Sequence, residues 1–302
     1  MNKFTKLSLF TLLLATVIFS SCKKEYESIE SVDDTAIQAY LKQNNLTFTK
    51  DTKGYYYKIN TPGTGTVIQN QDSVFYSYTF KTLSGQVLNQ TSNVMIPGTF
   101  LGYTDRFTIN GTSYMFTPIR EVLTKLKRGG KATVIMPSHM AFGKNGVSVL
   151  NIGSNENILV DVGIYSETKV HEIDELELNN FLTANSLTAI KDPTRVRYIV
   201  TQQGAGDPIL ASSTLSVNYT GRLLNGTIFD QTSGTAVSIV LSDAIKGWGI
   251  LKNFKVGTKI RLFIPSDLGY GQAGSTDPSS GAYIIPPNAV LDFDIEVVSV
   301  TN

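Results

Sequence analysis

Apolar residues recur at i, i+3 and i+4 at Ile37, Tyr40 and Leu41, and again at Leu178, Phe181 and Leu182. Each set is the stripe of a helix with one buried face. Ser31 followed by Asp34 has the form of a capping box before the first helix. After each helix the period changes to two, as in Leu215–Tyr219, Lys259–Ile264 and Val290–Val297. Such alternation predicts strands buried on one face. Turn formers separate the runs, among them Asn225-Gly226, whose tolerance of positive φ suits a tight hairpin. One further short helical stretch falls at about 243–254. The expected class is therefore α+β: a curved antiparallel sheet with a short helix laid across it, preceded by an extra N-terminal helix.

This pattern is written twice. At an offset of 141, residues 35–91 fall on 176–232 without a gap: Tyr40-Leu41 meets Phe181-Leu182, Tyr57 meets Tyr198, Tyr78 meets Tyr219, and Gln90-Thr91 meets Gln231-Thr232. Downstream the offset is 128, placing Gly129, Pro137, Gly143 and Gly146 on Gly257, Pro265, Gly271 and Gly274. It then becomes 133, pairing Asn155 with Asn288 and Asp161 with Asp294. Copy one is thus 13 residues longer in its middle and copy two 5 longer near its end. A register held this long marks a duplication.

With 302 residues, 41% hydrophobic and 17% charged, each copy has material for a core. A net charge of +1, from 26 basic and 25 acidic residues, argues against a nucleic-acid partner, because phosphate neutralisation needs a basic excess. One Cys and two His exclude a disulfide framework and supply too few ligands for a Cys/His zinc site. The expectation is no metal and no cofactor. Gly269-Tyr270-Gly271-Gln272-Ala273-Gly274 matches the dinucleotide glycine pattern, but turn formers from Ser275 to Gly281 follow where that motif requires a helix. His139 reads as a loop residue and His171 falls between the copies, so no histidine is left in copy two for a catalytic triad.

Residues 1–21 carry a basic start, an apolar run from Leu7 to Phe19 and small Ser20-Ser21, the form of a secretory signal. The run is shorter than the roughly 20 residues of a membrane span. Cys22 follows at once, and the arrangement resembles the lipobox of bacterial lipoproteins, with Phe19 where leucine is usual. The resemblance implies lipidation of Cys22 and a lipid-anchored envelope protein of the outer membrane, on either its periplasmic or its surface face. The polar residues 22–32 read as a tether.

Copy two contains a non-ionic constellation: Tyr219-Thr220-Gly221, Phe229-Asp230, Ala244-Ile245-Lys246-Gly247-Trp248, Tyr270-Gly271, Ile284-Ile285-Pro286-Pro287 and Phe293. As an ordered string it closely resembles the FKBP family of peptidyl-prolyl cis/trans isomerases, over about 193–300. That resemblance implies a pocket with Trp248 as floor and Tyr219, Phe229, Ile245 and Phe293 as walls. Asp230 would sit at the rim, hydrogen-bonded to Tyr219. The Ile245 main-chain N–H and the Tyr270 hydroxyl would hold substrate carbonyls, and Ile284 and Ile285 would line the loop over the proline. The family's second wall phenylalanine aligns with Val237, and the stretch from Trp248 to Gly257 is one residue short, which implies a shallower pocket. The implied partners are proline-containing polypeptide clients, and the implied activity is isomerisation of their X-Pro bonds. The competing reading is a non-catalytic chaperone or scaffold; a structural stalk is a third.

Copy one loses this set position by position: Asp230 becomes Asn89, Phe229 becomes Leu88, Tyr270 becomes Phe142, Phe293 becomes Val160, and the Trp248 position falls near Ile119. Asn151-Ile152-Gly153 stands in place of the Ile-Ile-Pro-Pro run. Its longer middle, 92–117, adds Phe100, Tyr103, Phe107, Tyr114 and Phe116, either covering the old pocket or forming a surface for clients or self-association. The expected organisation is a signal at 1–21, a tether at 22–32, a degenerate FKBP-like domain at 33–167, a linker and helix at 168–192, and an FKBP-type isomerase domain at 193–302.

Overall fold

Both apolar stripes form helices of 15 residues. The computed structural model describes residues 27–91, 96–109 and 112–302, and the signal segment and Cys22 lie outside them. Among the described residues there are three α-helices: α1 (Ile29–Gln43), α2 (Thr117–Leu123) and α3 (Val170–Ala184). α1 begins earlier than the sequence implied, inside the segment read as a tether. Its N-cap is Ser28, whose side chain accepts from the Ser31 N–H at 3.3 Å. Ser31 and Asp34 are therefore helical and do not form the cap. Asp34 instead accepts from the Tyr56 hydroxyl at 2.7 Å. No described helix is long and apolar enough to cross a membrane.

The two copies build the same antiparallel sheet. In copy one the strand order is Thr49–Lys50, Tyr56–Thr61, Lys131–Met136, Ile158–Ile164, Ser73–Thr82, Val87–Gln90. Copy two repeats it as Ile190–Lys191, Arg197–Gln202, Lys259–Ile264, Leu291–Thr301, Thr214–Leu223, Ile228–Gln231. Alternation sends Leu215, Val217, Leu262, Phe293, Ile295 and Val297 into one buried cluster with Trp248 and Leu251. The corresponding cluster of copy one holds Val74, Phe80, Val134, Val160, Ile119 and Leu123.

Each long helix is pinned to its own copy by a buried aspartate at the same position. Asp33 of α1 accepts from the Ser138 hydroxyl at 2.9 Å and lies 3.1 Å from His139 Nδ1, which gives that histidine a structural contact. Asp174 of α3 accepts from the Ser266 N–H at 3.0 Å and its hydroxyl at 2.9 Å. α3 has a second duty. Leu178 and Leu182 join the core of copy two, while Ile173 packs with Phe75 and Ile96 of copy one, alongside Tyr165 and Val170. The helix is thus shared between the copies.

Candidate active site

The stretch expected to be helical at 243–254 is a pair of 3-10 segments, Leu241–Asp243 and Lys246–Asn253, whose Leu241, Trp248, Ile250 and Leu251 pack into the core of copy two. Gly247 is needed there because a β-carbon would overlap the Ile264 side chain. That close approach presses the next residue, Trp248, into the sheet at 3% exposure. Its ring meets Tyr219 edge-on at 5.4 Å and Phe293 at 5.5 Å, and Phe229 meets Phe293 at 5.5 Å. Edge-to-face packing of this kind is the preferred aromatic geometry. The indole N–H is buried without a partner, as befits a floor closed to water.

These rings close around a cavity of about 220 Å³ lined by Tyr219, Phe229, Asp230, Ile239, Ile245, Trp248, Tyr270 and Phe293, with Asp243 and Ala244. Strand register assembles it: Gly221 stands opposite both Asp230 and Phe293 on its two neighbours. A β-carbon at Gly221 would lie 2.7 Å from both the Phe229 and the Phe293 ring. Glycine is what lets the two rings converge. At the rim the Tyr219 hydroxyl donates to Asp230 Oδ2 at 2.6 Å. Burial, with the Asp230 hydrogen bond, pushes the Tyr219 phenol up to about 12, so it remains a donor. Burial followed by the Asp230 charge also raises Tyr270. Among the described residues the Ile245 N–H makes no backbone hydrogen bond, which leaves it available to an acceptor.

Seven of the nine residues singled out from sequence therefore share one cavity wall: Tyr219, Phe229, Asp230, Ile245, Trp248, Tyr270 and Phe293. The other two stand outside it. Ile285 is 2% exposed in the core beneath, and Ile284 is 40% exposed on the short hairpin of Ser275–Thr276 with Tyr283–Ile285. The second wall position also moves. Val237 is 39% exposed, and Ile239, two residues on along the same strand face, takes the place in the lining. The sequence reading offered Val237 alone; Ile239 was missed, although it shares Val237's strand face and differs from it only in position along the strand.

In copy one the same layer is filled. Phe80 stands where copy two has Gly221, opposite Asn89 and Val160, and is 1% exposed. Phe107 and Phe116, from the longer middle segment, pack on it at 5.2 and 5.5 Å, and Phe142 meets Phe116 at 5.1 Å. Ile119 is fully buried beneath. Two aromatics of that segment point outward instead: Phe100 is 52% and Tyr103 48% exposed, with the Arg106 guanidinium 4.5 Å over the Tyr103 ring.

Residues 65–165 and 208–298 each match the family described as FKBP-type peptidyl-prolyl cis-trans isomerase. FkpA of Escherichia coli, of that type by name, is 42% identical over 110 residues, 35% of this chain and 38% of its own. A probable FKBP-type isomerase of Haemophilus influenzae is 42% identical over 106 residues, 34% of this chain and 42% of its own. The match thus spans about two fifths of these relatives' lengths. The crystal structure of E. coli FkpA aligns at 34% identity with a TM-score of 0.37, covering 43% of this chain and 61% of that one. Both copies of the duplicated unit carry the family match, over more than half of the chain, so this protein belongs to the FKBP-type peptidyl-prolyl cis-trans isomerase family.

Proposed function

We propose that copy two isomerises X-Pro bonds of exported or envelope polypeptides by non-covalent catalysis. The observation that carries this reading is the aromatic cavity on Trp248 with the Tyr219–Asp230 hydrogen bond at its mouth. Rotation about an X-Pro bond faces a barrier of roughly 18–20 kcal/mol because it breaks amide resonance. The twisted amide is less dipolar than the planar one, so an apolar, desolvated cavity disfavours the ground state more than the transition state. Tyr270 and Ile245 line the cavity, and in this reading the Tyr270 hydroxyl and the Ile245 N–H hold the carbonyls flanking the proline ring. A barrier lowered by about 5 kcal/mol gives 10³- to 10⁴-fold acceleration. This chemistry asks for no nucleophile.

The assignment of 193–302 as the isomerase domain and 33–167 as a spacer or client-holding domain belongs to the same proposal. It is supported by Phe80, Phe107 and Phe116 occupying the equivalent layer of copy one. Anchoring to the outer membrane through Cys22 follows from the sequence of residues 1–22, which lie outside the described structure. The exposed Phe100 and Tyr103 favour a second role for copy one, holding apolar client segments without turnover. The test is exchange of an X-Pro peptide, followed by NMR, with the full chain and its Trp248→Leu variant. Acceleration by wild type and a loss of 100-fold or more in the variant is expected; equal rates with and without wild-type protein would sink the reading.

A further inference from the structure

Where the two copies meet, a cavity of about 340 Å³ is walled by four segments, one of them contributing Ile96 of copy one. Tyr165 follows the last strand of copy one, Leu224 lies in a hairpin turn of copy two, and α3 with its C-cap supplies Glu177, Asn180, Phe181 and Asn185. Glu177 is the one charged residue on this wall. It is 7% exposed, and among the described residues its Oε1 has no hydrogen-bond partner. A desolvated, unpaired acceptor is a cost that native structures seldom leave unanswered.

The surroundings state what would answer it. Asp174 lies one turn earlier on α3, with Arg195 and Asp267 of copy two acting on it. Tyr165 lines the wall from copy one, and burial together with the charges of Glu177 and Glu167 raises its phenol. Among the described residues no cationic side chain lines the wall, which apart from Glu177 and the Tyr165 phenol is apolar or amide. The Asn185 side-chain N–H already donates to the Phe181 carbonyl at 2.8 Å, which leaves its amide oxygen as an acceptor, and Asn180 is a second amide on the same wall.

We propose that this cavity binds a primary alkylammonium, the chemistry of a lysine side chain, with Glu177 as its counter-ion. The methylene stem lies against Phe181 and Leu224. The three ammonium donors go to the Glu177 carboxylate and the amide oxygens of Asn180 and Asn185. The site is independent of the isomerase reading. Burial, then the charge of Asp174, holds the empty Glu177 carboxyl up at about 9, so it is neutral at pH 7. Binding converts the neutral acid and the alkylammonium into an ion pair and releases one proton to solvent. Affinity therefore rises with pH below that value, until the amine itself deprotonates near 10.4.

The experiment is isothermal titration of the full chain with n-pentylamine at pH 6.5, 7.5 and 8.5, with n-pentanol as control. A Glu177→Gln variant, isosteric with the neutral acid, and a capped glycine peptide containing one lysine complete the set. Expected are about tenfold tighter binding per pH unit and one proton released, read from buffers of different ionisation heat. Pentanol and Glu177→Gln should give no binding. A peptide that binds with the same slope identifies polypeptide lysine as the source; pentylamine alone identifies a free amine. A flat pH profile, equal binding by pentanol or by Glu177→Gln, or no heat from either amine overturns the proposal. Should Glu177→Gln fail to fold, proton release by wild type decides alone.

Discussion

Asp33 and Asp174 occupy the same position in two copies of one helix, and both are buried. Asp174 takes two hydrogen bonds from Ser266 through Oδ2 and leaves Oδ1 unpartnered. Burial outweighs those hydrogen bonds and raises its carboxyl to about 6 from 3.8. The folded state therefore holds a proton that the unfolded chain gives up near pH 4. Stability from this group is greatest below that pH and falls as pH rises through about 6, by about 3 kcal/mol in total. Asp174→Asn keeps an acceptor for Ser266 and removes the titration. We expect the variant to gain on wild type between pH 4 and 6.5 and to unfold at higher urea at pH 7.5; parallel pH curves for the two would contradict this. At the cavity, Ile239→Ala should raise KM several-fold while Val237→Ala leaves it within twofold, because Ile239 lines the wall and Val237 does not. The reverse order would restore Val237 as the wall residue.

Neighbouring strands decide where the aromatic bulk of a layer is carried. In copy two the central strand offers Gly221, and the rings come from Phe229 and Phe293 on either side, leaving a cavity above Trp248. In copy one the central strand carries Phe80, its neighbours shrink to Leu88 and Val160, and Phe107 and Phe116 complete the fill. Gly221→Ala forces a methyl against two rings, a cost of about 1–3 kcal/mol, and should lower kcat/KM at least tenfold. Phe80→Ala should cost about 3–5 kcal/mol as a cavity in copy one and leave isomerisation unchanged. Calorimetry and the exchange assay read both; unaltered turnover in Gly221→Ala would show that the rings need not converge. The strand runs and the duplication were legible from the sequence because each depends on local period or on a register repeated within the chain, whereas the seven cavity residues were named through the ordered string that resembles the family. The filling of copy one was only partly legible. It depends on Phe107 and Phe116 folding back from a segment without a counterpart, and nothing in their spacing tells them from Phe100 and Tyr103, which stay exposed. The start of α1 was misread for a smaller reason: Ser28 and Ser31 are both good caps, and tertiary packing of Asp33 on Ser138 extends the helix back to the earlier one.

At the scale of the molecule the duplication has kept one scaffold and filled its inner layer differently in the two copies. The sheet order, the extra helix and the buried aspartate pin persist in both copies. Copy two carries an open aromatic cavity with a tyrosine–carboxylate pair at its rim, and the described residues of copy one fill the same layer with Phe80, Phe107 and Phe116. α3 binds the copies together through Ile173 on one side and Leu178 and Leu182 on the other, so neither is an independent bead on a string. The division of labour is best tested with both copies present. In a full-length Asp230→Ala, Trp248→Leu variant the floor and the rim of copy two are gone, while copy one is untouched some distance along the chain. If all turnover resides in copy two, X-Pro exchange falls to the rate in buffer, and restoring Trp248 alone recovers part of it. Residues 27–184, which keep the whole of α1 and the Ile173 contact with Phe75 and Ile96, should give a cooperative melt and the uncatalysed rate when expressed alone. Residual acceleration in the double variant, matched by the isolated first copy, would place a second active site in copy one and would mean that a ring-filled layer can open to admit a proline.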